Sequence, residues 1–139
     1  MGFDSLNADV CKAKLKSAEL LNQFGDITVS LKLMNQSQGS NGKLITEAFF
    51  HEVCIMGILP ISPNLQQFIG YSYPTMAIAT KYYSHSLGNR LFHKDFPYSM
   101  SLHAKIALDV SNGLVYLHRA GIIHLDLSPS KSSNIRFSY

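Results

Sequence analysis

Apolar residues recur at every second position through Ile27, Val29, Leu31 and Leu33, while Lys32 points the other way, so residues 27–34 read as a half-buried strand. Beyond it the period changes. From Leu44 to Leu59 the apolar residues Ile45, Phe49, Val53 and Met56 fall at helical spacing, with Glu52 on the border of their stripe. A long helix is predicted over 101–120, with Leu102, Ile106, Val110 and Leu117 on its apolar side. Ala8 to Phe24 also reads as helical, setting Lys12, Lys14 and Lys16 opposite Val10, Ala18 and Leu21. The breaks are the polar stretch Gln36 to Lys43, the turn Ile61-Ser62-Pro63-Asn64, and Phe92 to Tyr98 with its Pro97.

Composition narrows the class. The chain has 139 residues, a net charge of +3, 46% hydrophobic and 15% charged residues. That length fits one domain or a piece of one. Its charged fraction lies below the roughly 25% of an average globular protein, which points to a surface that meets a protein partner. The basic residues form no dense block, so nucleic acid is not expected as a partner. Cys11 and Cys54 stand far apart and outside any C-x-x-C pair, which predicts reduced, buried thiols rather than a disulfide or a zinc site. The histidines show no H-E-x-x-H or similar ligand spacing. With no secretory signal and no run of about 18 apolar residues, the expectation is a soluble, cytoplasmic protein without a membrane segment.

The motif with the most chemistry lies near the end. Gly113-Leu114-Val115-Tyr116-Leu117-His118 leads into Gly121-Ile122-Ile123-His124-Leu125-Asp126-Leu127, a helix delivering a loop that carries an aspartate. This run resembles the protein-kinase catalytic loop, H-R-D-L-x-x-x-N. Upstream, Val29-Ser30-Leu31-Lys32 stands where V-A-I-K would, and Glu52 where the helix glutamate would. Pro63 to Tyr71 resembles the fourth strand, and Met76 to Tyr83 the fifth strand, gatekeeper and hinge. Ser84-His85-Ser86-Leu87 resembles a "G-G-S-L" helix start, and Ile106 to Leu114 the following long helix. In this order the segments resemble the first half of a eukaryotic protein kinase domain of the tyrosine-kinase-like group.

That resemblance implies an α+β, partial protein-kinase-like fold: a small antiparallel sheet with its αC-type helix, a hinge, and the first helices of the helical lobe. The expected organisation is a helical segment over 1–26 in place of the glycine-rich hairpin, an upper-lobe part over 27–83, and the start of a lower lobe over 84–139. It implies ATP and Mg2+ as ligands and protein as substrate or partner. Lys32 would anchor the phosphates and Glu52 would hold Lys32. Thr80, Lys81 and Tyr83 would meet the base, Asp126 would act as catalytic base, and Asn134 as metal ligand.

Four departures accompany it. Only Gly25 remains of a glycine-rich loop, and Leu125 replaces the arginine that pairs with a phosphorylated activation loop. Six residues rather than three separate Leu127 from Asn134, so either Ser128 takes the place of the usual lysine, or Ser128-Pro129-Ser130 is an insertion before Lys131-Ser132-Ser133-Asn134-Ile135. These 139 residues contain no D-F-G and no A-P-E. The expected function is therefore protein phosphorylation on serine or threonine, possible also on tyrosine, at the level of the family, with little turnover from this stretch alone. The alternative is a non-catalytic, pseudokinase-like binding or scaffold module.

Overall fold

The computed structural model describes residues 8–16, 18–25, 28–34, 42–97, 99–125 and 127–129. Their elements run β1 (Ala8–Lys14), α1 (Ala18–Phe24), β2 (Thr28–Met34), α2 (Gly42–Ile58), β3 (Phe68–Ser72), β4 (Ala77–Lys81), α3 (Leu87–Leu91) and α4 (Met100–Arg119). They fall into two units, one of residues 1–57 and 68–82, the other of 58–67 and 83–139.

In the first unit the strands form an antiparallel sheet in the order β1-β2-β4-β3. The alternation read from residues 27–34 is realised in β2. Val29 is buried on one face, while Lys32 stands on the other, in register with Ile78 of β4. The helical stripe is realised in α2, where Ile45, Phe49 and Val53 are buried. They form a core with Met34, Met76 and Ile78, edged by Ala48, Met56 and Phe68. Burial of each such large side chain contributes about 1.5–3 kcal/mol, and this contact carries α2 on the sheet.

Residues 8–14, expected to be helical, form a strand instead. β1 pairs with β2 along its whole length, from Ala8 opposite Met34 to Lys14 opposite Thr28. The ladder to β2 overrides a local preference that is weak in so polar a run. Helix survives only in α1, which ends at Gly25, where φ is +74° and the N–H donates to the Leu21 carbonyl at 2.8 Å. A left-handed φ of this kind suits a residue without Cβ. Both cysteines are free and exposed, not buried as expected. Cys11 lies on an edge strand of the sheet, and Cys54 follows Val53 off the buried stripe of α2.

The second unit is built on α4. Ser99 caps its N-terminus, accepting from the Leu102 N–H. At its other end Gly121 takes φ +72°, with its N–H on the His118 carbonyl and the Ile122 N–H on that of Leu117, the paired bonds of a glycine-terminated helix. Leu87, Phe96 and Ile106 form the core here, with Leu91, Leu102 and Val110 packed around it. The apolar side of α4 is thus covered. Ile106 and Leu117 are buried, whereas Leu108 and Val115, on another side, are exposed.

Residues 58–67, read from sequence as upper-lobe, cluster with this unit, and a buried contact ties them to α4. The Asn64 side-chain amide donates to Asp109 of α4 at 3.1 Å, and both residues are buried. Removing a buried donor leaves its acceptor less satisfied, so Asn64→Ala is expected to lower stability by about 1–2 kcal/mol. An unchanged urea midpoint would show that this bond is dispensable. No helix among the described residues is long and apolar enough to cross a membrane.

Candidate functional site

The site begins with Lys32 and Glu52. β2 presents Lys32 on its α2-facing side, and α2 carries Glu52 one residue before the buried Val53. The result is a two-pronged pair, in which the Lys32 ammonium donates to Oε1 of Glu52 at 2.8 Å and to Oε2 at 2.7 Å. Both side chains are part-exposed, at 38% and 31%. An ion pair so open to water adds only about 0–1 kcal/mol to stability. What it fixes is position. An ammonium has three N–H groups, and Glu52 takes the direction of two, so a solvent-facing donor remains for an anion.

Of the residues predicted to meet the base, Thr80 shares this face. In an antiparallel sheet directly paired residues project to the same side, so the register Lys12↔Ser30↔Thr80 sets a polar row one step from the row Val10↔Lys32↔Ile78. Thr80, predicted as gatekeeper, is therefore on the Lys32 face and half-buried. Lys81 is next to it on β4, in register with Val29, and points to the opposite face. The Tyr82 N–H donates to the Thr28 carbonyl at 3.1 Å, continuing the β4 ladder past Lys81. Tyr83, half-buried, belongs to the second unit.

Asp126 and Asn134 lie outside the described residues. Around them, Leu125 has φ +58° and is 92% exposed. The Pro129 carbonyl accepts from the Gly88 N–H at 2.8 Å, which ties the stretch with the extra residues to the start of α3. Among the described residues no cluster of three or more His, Cys, Asp or Glu could hold a metal ion.

Sequence reasoning missed one part of this face. The Lys12 ammonium sits 4.6 Å from the centroid of the Tyr82 ring. The signal was present in the alternation Val10, Lys12, Lys14, which places all three on one side of a strand and is lost when the run is taken as a helix.

Comparison with known proteins agrees with this geometry. The protein tyrosine and serine/threonine kinase family profile matches residues 5–132, a span that takes in β1. The chain is similar to the serine/threonine/tyrosine-protein kinase HT1 of Arabidopsis thaliana, at 37% identity over 95 residues, 66% of this chain and 23% of that protein. It is also similar to the dual specificity protein kinase zak2 of Dictyostelium discoideum, at 30% identity over 128 residues, 84% of this chain and 19% of the relative. A third relative is the serine/threonine-protein kinase STY17 of Arabidopsis thaliana, 28% identical over 145 residues, 96% of this chain and 24% of its own length. The chain belongs to the protein kinase family, and its fold is a partial kinase domain. It spans about a fifth to a quarter of the length of these three relatives.

Proposed function

We propose that the α2-facing side of the sheet is a nucleotide site that binds ATP with Mg2+, and that the protein to which this stretch belongs serves protein phosphorylation. The carrying observation is the Lys32–Glu52 pair at 2.7–2.8 Å within a region matched to the kinase family. A lysine held by both carboxylate oxygens is pre-positioned, so little of its side-chain freedom remains to be lost when a phosphate arrives. In this reading Lys32 binds the α- and β-phosphates and Glu52 fixes and balances its charge. Thr80 sits behind the base, and the main chain at Lys81 and Tyr83 meets the purine edge. Asp126 accepts the proton of the substrate hydroxyl, and Asn134 contributes to holding the metal. Magnesium would neutralise charge on the transferred phosphoryl group. HT1, zak2 and STY17 are named as kinases of serine, threonine or tyrosine, which supports protein as the substrate class.

A second reading, a non-catalytic binding module, draws on Leu125, whose exposed apolar side chain stands where the family has an arginine. One experiment tests both. Calorimetric titration of the 139-residue polypeptide with Mg-ATP is expected to give saturable 1:1 binding, while phosphate transfer to a generic protein substrate stays at the level of an Asp126→Ala control, because the sequence holds no D-F-G aspartate for the metal. A folded sample that binds no Mg-ATP would favour the binding module. Transfer that vanishes in Asp126→Ala would show a more complete catalytic apparatus than proposed.

A further inference from the structure

Lys12 and Tyr82 meet across the middle of the sheet. β1 and β4 lie on either side of β2. Lys12 is in register with Ser30, while Tyr82 follows Lys81, the partner of Val29, and donates its N–H to the Thr28 carbonyl. Their backbones are thus two strands apart, about 10 Å across, and two residues out of line, about 7 Å along the strands. Alternation turns Tyr82, two residues past Thr80, to the side that Lys12, Ser30 and Thr80 share. With the Lys12 ammonium 4.6 Å from the ring centroid, the two side chains close over β2 at Thr28 and Ser30, both half-buried. In the reading above this is where the base lies. Ser30 stands two residues from the phosphate anchor Lys32 on the same face and directly beside Thr80, so a purine ring reaching from Lys32 towards the main chain at Lys81 and Tyr83 covers it. Contact and base compete for one place.

We propose that the Lys12–Tyr82 contact is a latch over the base end of the nucleotide site, closed in this structure and opened when a base takes its place over Ser30. This rests on the nucleotide-binding reading above. A cation over an exposed ring favours the closed form about two- to fivefold, and a ligand that needs the open form binds more weakly in proportion to the fraction that is open. The side chain of exposed Lys12 exchanges rotamers within nanoseconds, so the latch sets affinity and not the rate of entry. It acts on the base and leaves the phosphate contacts of Lys32 as they are.

The test titrates wild type and Lys12→Met with Mg-ATP and with adenosine, which shares the base and ribose but has no phosphate. Lys12→Met drops the charge, so it is expected to bind both ligands about three- to sixfold more tightly than the wild type, with the ratio of the two affinities unchanged. Lys12→Arg, whose guanidinium also stacks on a ring, should stay near the wild type. Unchanged affinity in Lys12→Met overturns the proposal, and so does weaker binding, which would make Lys12 one of the ligand's own contacts. A second readout is the proton NMR signal of the Lys12 side chain, shifted upfield by the Tyr82 ring and assigned by the loss of that shift in Tyr82→Leu. The shift is expected to vanish as adenosine saturates the wild type. A shift that persists at saturation overturns the latch and leaves Lys32-dependent ATP binding in place. If wild type and Lys12→Met both bind no Mg-ATP, the nucleotide reading falls and the latch with it.

Discussion

Lys32→Ala is expected to weaken Mg-ATP binding about tenfold to hundredfold while leaving the polypeptide folded. Stability and affinity, which often fall together, separate at this residue. The Lys32–Glu52 pair is 38% and 31% exposed, so its loss should cost no more than about 1 kcal/mol of stability. The same ammonium against phosphate oxygens forms charge-assisted hydrogen bonds worth about 1.5–3 kcal/mol, roughly a tenfold to hundredfold change in affinity. Glu52→Gln should fall between. Its amide oxygen can still accept from Lys32, but the charge that balances the ammonium is gone, so a smaller loss, about three- to tenfold, is expected. Calorimetry on the three proteins, beside their thermal melts, checks both halves. Undiminished ATP affinity in Lys32→Ala would remove Lys32 from the site. A melt lowered far beyond the cost of an exposed pair would mean that the contact is structural instead.

The two residues of this pair were legible in the sequence because each is fixed by a short-range period. Alternation over 27–34 turns Lys32 away from Val29 and Leu31, and the spacing of Ile45, Phe49 and Val53 puts Glu52 at the border of a buried stripe. The hydrophobic core then brings the two elements together. What stayed hidden depends on partners distant along the chain. β1 is a strand because seven residues of β2 complete its hydrogen bonds, and the alternation of Val10, Lys12 and Lys14 is too short to decide between strand and helix by itself. Asn64 reads as an ordinary turn residue, and its partner Asp109 on α4 stands 45 positions later. The row Lys12, Ser30, Thr80 could not be seen until register was known, since a shift by one residue would send all of Lys12's side of β1 to the other face.

The stability of the first unit should turn on Phe49, for which Phe50 provides an internal comparison. Phe49 is fully buried, at 0% exposure, among Ile45, Val53, Met34, Met76 and Ile78. Its ring also meets Phe50 edge-on at 5.3 Å and Tyr71 at 6.0 Å. Phe50, one residue on, is 38% exposed and lies against Tyr73 at 5.2 Å. Truncating a buried phenylalanine costs about 3–5 kcal/mol, because the transfer energy is lost and the cavity closes only in part. With a whole domain worth about 5–15 kcal/mol, Phe49→Ala is expected to leave this unit marginal or unfolded. Phe50→Ala removes a partly solvated ring contact and should cost about 0.5–1.5 kcal/mol. The consequence reaches the site, since Phe49 lies one helical turn before Glu52 and Val53 and seats α2 on the sheet. Phe49→Ala should therefore lose Mg-ATP binding together with its cooperative melt, whereas Phe50→Ala should retain both. Denaturation curves and ATP titrations of the two variants decide it. Equal destabilisation by both would show that the core does not centre on Phe49, and a Phe49→Ala protein that still bound ATP would show that Glu52 is held by something other than this packing.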